Sequence, residues 1–217
     1  MNHVLIKALA AMTAIVAPLA AQGTVRITEF MYQGISSGNR EFFEITNISN
    51  AAVNVAGWSY NDDNPNNPVS FGDFFGSLAA NESVILTEMT AEAFRSYWGL
   101  SAAVRIFSIG GDSNLGNGDT INIYNSATQN AGTLVDSLTY ANGSNTPGIS
   151  RNRPVGVDGA VLNGSFANSA TGDTFGSAYA GVAGQSDLAN PGRFPVVSAA
   201  PVPEPASWAL MIGGFAL

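Results

Sequence analysis

The sequence contains no cysteine and a single histidine. It holds no lysine beyond Lys7, and only 11% of its residues are charged. Without cysteine there can be no disulfides, no zinc–thiolate sites and no thiol nucleophile. The lone histidine, His3, and the lone lysine, Lys7, both sit at the extreme N-terminus. If that end is removed on export, the remaining chain cannot build Ser–His–Asp, Cys–His or Ser–Lys nucleophile systems, nor a Schiff base. No phosphate-binding loop or dinucleotide fingerprint is present either. The eight cationic side chains include Lys7, which leaves seven arginines (8 − 1) against sixteen acids, and the net charge is −8. A nucleic-acid partner is excluded on that ground, because binding phosphates requires clustered cations to displace counterions.

In place of charge, the chain uses Asn, Ser, Thr and Gly as polar surface, the composition of an exported β-protein. Residues 1–23 read as a signal peptide. Lys7 gives the positive start, an apolar run follows from Ala8 to Ala17, Pro18 breaks it, and small residues follow at Ala20, Ala21 and Gly23. Signal peptidase is the expected partner there. A stalk-like or hairpin-forming segment rich in Gly, Ala, Ser and Asn spans residues 156–200, and 201–217 opens with alternating prolines before an apolar stretch. The twelve residues from Ala206 to Leu217 are too short to cross a bilayer alone.

Between the ends, residues 24–155 carry short strand-like runs separated by Gly, Asn and Asp. These are Val25–Phe30, Glu41–Asn47, Val53–Tyr60, Ser83–Thr87, Arg105–Ser108, Thr120–Asn125 and Thr133–Tyr140. That rhythm predicts an all-β sandwich or barrel. One helix interrupts it near 90–98, with Thr90 as cap, Glu92 in the first turn and Gly99 at the end. Phe94, Tyr97 and Trp98 share one face of it.

Two resemblances attach to these residues. The stretches Ile27-Thr28-Glu29, Glu41 to Asn47, Val55-Ala56-Gly57-Trp58, Leu78 to Leu86, Phe94 with Trp98, Leu115 to Ile121 and Val135 to Tyr140 occur in the order found in the lamin tail domain. The resemblance implies an immunoglobulin-like β-sandwich with no catalytic residues to carry over, used for adhesion or targeting. Separately, Val202 to Phe215, containing Pro203, Glu204 and Pro205, resembles the PEP-CTERM sorting signal of Gram-negative bacteria. In that family a longer membrane helix and a basic tail follow, so this copy reads as truncated. The resemblance implies an exosortase-type membrane protease as partner. It also implies export through the inner membrane, transient membrane retention and delivery to the cell surface or an exopolysaccharide matrix.

Candidate sites are few. Asp112, Asn114 and Asp119 form a hard-oxygen cluster that fits either turn chemistry or a calcium ligand set, with no other cofactor expected. Trp58, Tyr60, Phe74 and Phe75 fit either the core or a sugar-stacking surface, with Tyr60 and Phe74 as the stacking pair. Glu41 and Glu44 lie three apart in a strand, which aims them at opposite faces and reads as surface charge rather than a catalytic pair. Glu29, counted by twos from Val25 and Ile27, falls on their apolar face and calls for an ion pair with Arg151 or Arg153. The expected function is that of a non-catalytic structural or adhesion module. A polysaccharide-binding module is the first alternative and a carboxylate-dependent hydrolase the second.

Overall fold

The computed structural model describes residues 25–36, 40–64, 68–110, 115–157 and 165–196. The segment read as a signal peptide, the residues Pro203, Glu204 and Pro205 of the expected sorting motif, and the candidate ligands Asp112 and Asn114 lie outside the described residues.

In chain order the elements are β1 (Val25–Met31), β2 (Phe42–Asn47), β3 (Val53–Asn54), β4 (Ser59–Asn61), β5 (Val69–Ser70), β6 (Ser77–Leu78) and β7 (Ser83–Thr87), then helix α1 (Ala91–Trp98). After it come β8 (Ile106–Ser108), β9 (Asp119–Tyr124), β10 (Leu134–Tyr140), β11 (Arg151–Asn152), β12 (Ala167–Asn168), β13 (Ala178–Tyr179) and β14 (Leu188–Ala189). A six-stranded sheet runs β12-β11-β1-β2-β7-β8 and a four-stranded sheet runs β10-β9-β4-β5. Two small ribbons, β3-β6 and β13-β14, flank them. All pairings between these strands are antiparallel except β7 with β8, which α1 connects as a crossover. The expected all-β, immunoglobulin-like sandwich with one short helix is the fold observed.

The main core fills the space between the sheets. Ile27, Phe30, Phe43, Ile45, Val84 and Leu86 come from the larger sheet and meet Tyr60, Ile121, Ile123, Leu138 and Tyr140 from the smaller one. Phe30 stacks on Tyr140 at 4.7 Å and Phe43 packs on Tyr60 at 4.7 Å. Strands β9 and β10 alternate buried with more exposed positions, as a sheet with one covered face must.

The larger sheet is covered on both faces, so every residue of β2 and β7 is buried. Its outer face carries a second core of Met31, Phe42, Ile85, Phe94, Ile106 and Ala189. Helix α1 supplies the cover. The Thr90 hydroxyl accepts the Ala93 N–H at 3.2 Å to start it, and Gly99 ends it in the left-handed region at φ 63°. Phe94 and Trp98 meet the Phe42 ring edge-on at 5.3 and 6.1 Å. Full burial of a phenylalanine such as Phe94 contributes roughly 1.5–3 kcal/mol. Tyr97 instead turns toward the C-terminal segment, donating its hydroxyl to Asp187 Oδ2 at 2.9 Å.

Residues 151–157 and 165–196 are built into this architecture. Strand β11 pairs with the free side of β1, β12 extends that edge, and the β13–β14 hairpin closes over the outer face. Leu188 N–H donates to Gly148 O and Ser150 N–H to Leu188 O, which stitches β14 to the chain just before β11.

Candidate functional site: a buried carboxylate layer

The polar centre of the molecule arises from one irregularity in β1. Ile27 pairs with Ile45, but Glu29 pairs with Glu44, so Thr28 is an extra residue: a β-bulge. The bulge resets the two-residue alternation. Thr28 and Glu29 both reach the outer face, and Phe30 returns to the core opposite Phe43. Glu29 therefore does not lie on the apolar face of Val25 and Ile27, as counting by twos requires. It sits directly across from Glu44, and both are fully buried.

Among the described residues, no arginine pairs with either glutamate. Glu29 Oε1 accepts from the Ser150 hydroxyl and from Asn190 N–H at 2.9 Å. Glu44 Oε1 accepts from the Thr28 hydroxyl at 2.6 Å and from Thr46 at 3.2 Å, and its Oε2 accepts Gly192 N–H at 2.7 Å. The Ser83 hydroxyl extends this chain through Thr46 at 2.7 Å. Burial drives the Glu44 carboxyl up to about 7, against the hydrogen bonds from Thr28, Gly192, Thr46 and Ser83 that favour its ionised form. Burial pushes Glu29 well above the usual carboxylate range, and the neighbouring Glu44 adds to that. Two facing acids in a low-dielectric interior do not both ionise, and the donors select Glu44 as the charged member.

The arginine expected at Glu29 serves another acid. Arg153 Nη1 pairs with Asp136 Oδ2 at 3.1 Å, both side chains being almost wholly buried. Asp136 Oδ2 also accepts Ile27 N–H at 2.9 Å, one of the backbone groups beside the bulge. Arg153 Nη1 in turn reaches Ile27 O at 3.3 Å. Arg151 points elsewhere, to Asn145 Oδ1 and the Phe166 carbonyl.

Glu41, read from the sequence as surface charge together with Glu44, is also buried. Its Oε1 accepts Leu115 N–H at 2.6 Å, and burial together with the adjoining Glu88 carboxylate raises it to about 9. Glu41 and Glu44 do diverge, but into two interior environments. Glutamates 29 and 44 supply the two facing acids a hydrolase would need, yet neither has any surface open to a substrate.

The other candidate residues are distributed separately. Both Asp119 carboxylate oxygens accept backbone N–H groups close in sequence, Gly116 at 2.8 Å and Thr120 at 2.7 Å. Among the described residues, no group of three or more Asp, Glu, His or Cys is placed to hold a metal ion. Tyr60 and Phe74 do not form a stacking pair. Tyr60 has no exposed surface and cannot offer a ring face to a sugar, because β4 lies in the middle of the smaller sheet and turns its ring into the core against Phe43. Phe74 is 54% exposed and leans on Phe75 and Phe107 at 5.0 and 5.1 Å. Arg105 braces that rim, pairing with Glu82 at 2.7 Å and donating to the Phe75 carbonyl.

The buried acid layer escaped sequence reasoning because the bulge leaves no trace in hydrophobic periodicity. The signal that was available is compositional: Thr28, Thr46 and Ser83 supply hydroxyls on three adjacent strands around an otherwise inexplicable Glu44.

Among curated proteins none matches the chain. Among solved structures it is similar to the crystal structure of a DUF4876 family protein from Bacteroides thetaiotaomicron. The identity is 12%, with 69% of this chain and 68% of that one covered and a TM-score of 0.42. The sequence profile of the Lamin Tail Domain matches residues 18–142, more than half of the chain. The bulged β1, the glutamate-bearing β2 and the Gly57-Trp58 turn all fall within that span, and the chain belongs to the Lamin Tail Domain family.

Proposed function

We propose that this protein is an exported, non-catalytic structural or adhesion module of the cell surface or extracellular matrix, sorted by an exosortase-type protease. The observation that carries the reading is the pairing of an immunoglobulin-like lamin tail domain with the Pro203-Glu204-Pro205 motif and the apolar stretch that begins at Trp208. The chemistry of the domain supports it. Its strongly perturbed carboxyls are enclosed and tied to the protein's own donors, the pattern of groups that hold a fold together. Adhesion through the loops and rims at the ends of the sandwich needs no such groups. Mass spectrometry of the protein recovered outside the cell tests the sorting step. Cleavage near Pro205 is the expected result, and a freely secreted product that keeps Trp208 to Leu217 overturns it.

Polysaccharide binding is the second reading, favoured by the exposed Phe74 ring on the Phe75–Phe107 rim. A glycan array probed with the protein and with Phe74→Ala separates the two. Binding that Phe74→Ala abolishes supports a binder, and no binding by either leaves the structural module.

A further inference from the structure

Among the described residues, two buried side-chain oxygens have no hydrogen-bond partner, Glu29 Oε2 and Asn152 Oδ1. They belong to residues directly opposite each other on β1 and β11. Opposed residues of an antiparallel pair hold their Cβ atoms roughly 4.5–5.5 Å apart, so the two side chains are neighbours. An orphaned buried acceptor is costly, and two adjacent ones are not an accident of packing.

The surrounding hydrogen bonds determine how both can be satisfied. Asn152 Nδ2 donates to Ser169 Oγ at 2.8 Å. Ser169 and Ser150 share a hydroxyl contact at 2.6 Å, and the Ser150 hydroxyl donates to Glu29 Oε1. Each hydroxyl has one proton. With the Ser150 proton committed to Glu29, Ser169 must donate to Ser150. The donors then run one way, from Asn152 through Ser169 and Ser150 to Glu29 Oε1. What is missing is one proton between Glu29 Oε2 and Asn152 Oδ1.

We infer that Glu29 is held as a neutral carboxylic acid whose Oε2–H donates to Asn152 Oδ1, closing a buried ring of four side chains that latches the C-terminal segment onto the sandwich. The ring members come from β1, from the β11 region and from the residue after β12. The Glu29 oxygen opposite the proton also takes Asn190 N–H. Two residues later the neighbouring Glu44 takes Gly192 N–H. The segment that follows β14 is therefore fastened to the outer face by this pair of acids.

The charged groups around the ring oppose ionisation of Glu29. Glu44 faces it from β2, and Asp173, from the connection between β12 and β13, adds a further negative charge. The nearby cations are engaged elsewhere: Arg153 with Asp136, Arg151 with Asn145 and Phe166, and Arg40 beside Asp187 at 3.8 Å. Asp187 accepts from Ile35 N–H and the Tyr97 hydroxyl. Loss of the proton would leave Asn152 Oδ1 bare and place two carboxylates side by side with no counter-charge. The latch holds in acid and opens as pH rises.

The test uses the full chain with Glu29→Gln and Glu29→Leu. The glutamine amide reproduces the neutral acid, offering a permanent N–H to Asn152 and a carbonyl to Ser150 and Asn190. Hydrogen-exchange protection of the Asn190 and Gly192 amides is followed from acid to alkaline pH. In the parent, protection is expected to fall by about tenfold or more as Glu29 ionises. It should stay level in Glu29→Gln and be lost at every pH in Glu29→Leu. Infrared difference spectra at neutral pH should show a protonated-carboxyl carbonyl band that Glu29→Gln removes. A Glu29→Gln protein whose protection follows the parent's pH profile, or that lacks the infrared change, overturns the proposal. So does restoration of alkaline protection by added Ca2+, which would place a cation where we place the proton.

Discussion

Glu44 stays ionisable inside the protein because donors of different kinds converge on it: the Thr28 and Thr46 hydroxyls on one oxygen and the Gly192 amide on the other. Burial still outweighs them, which sets the direction of the pH response. Glu44 and Glu41 titrate near 7 and 9 in the folded chain against an ordinary value of 4.5. Between those values the folded state holds protons that the unfolded chain has released. Raising the pH therefore favours unfolding. The stability contributed by the neutral forms is complete below 4.5 and is lost as pH rises through 7 and then 9. For Glu44 the difference (7 − 4.5) corresponds to an effect on the order of 3 kcal/mol. Thermal melts followed by circular dichroism should show Tm falling from acidic to alkaline buffer, and Glu41→Gln should remove the upper part of the fall. A Tm that rises with pH would contradict the assignment. At this scale the sequence was only partly legible. The identity of Glu29 as a buried acid in need of a partner could be read, but its partner could not. Tyr60 and Phe74 are both loop-flanking aromatics in sequence. Only the placement of β4 between β9 and β5 separates the core ring from the exposed one.

Among the elements, legibility follows length. Six of the seven runs and the helix read from hydrophobic pattern occur as single elements, while Val53–Tyr60 splits at the Gly57-Trp58 turn into β3 and β4, which join different sheets. Strands β3, β5, β6 and β11 to β14 have two residues each, too few for any period; β5 and β11 form on the edges of the longer β4 and β1, and the others pair with strands as short as themselves. The β1 bulge is invisible for a related reason: counting by twos assumes an unbroken ladder. Its repair is also an element-level matter. Asp136 from β10 captures the Ile27 N–H, and Arg153, just past β11, neutralises Asp136. The ion pair thus closes the corner where the two sheets meet. Removing one partner of a buried pair strands the other charge, at roughly 3–5 kcal/mol. Asp136→Ala should lower stability by that amount in denaturant titrations, and Asp136→Leu with Arg153→Met should recover part of it. A double variant no better than the single would mean that the backbone contacts at Ile27, rather than the stranded charge, dominate.

For the whole molecule, the family match and the physical unit have different boundaries. The Lamin Tail Domain profile ends at residue 142, while the buried structure continues to Phe194. Cutting the chain after Asn142 would remove β11 and expose the edge of β1. It would also take away Arg153 from Asp136, and Ser150, Asn190 and Gly192 from the buried glutamates. Each of those losses leaves a charge or an acceptor without its partner, and an open β1 edge invites pairing with another chain. A version ending at residue 196 keeps all of them. We expect the 24–142 fragment to aggregate or remain unfolded and the 24–196 fragment to melt cooperatively, as judged by size-exclusion chromatography and calorimetry. Limited proteolysis of the full chain should spare 165–196 at acidic pH, because the hairpin and its strap are anchored by Asp187, Glu29 and Glu44. A monomeric, cooperatively folding 24–142 fragment would show that the C-terminal third is an attachment to the sandwich rather than part of it. The composition of 156–200 could not decide between these, since Gly, Ala, Ser and Asn suit both a loose stalk and a tightly bonded strap. What distinguishes them is whether acids elsewhere in the fold are waiting for the strap's amides, and here they are.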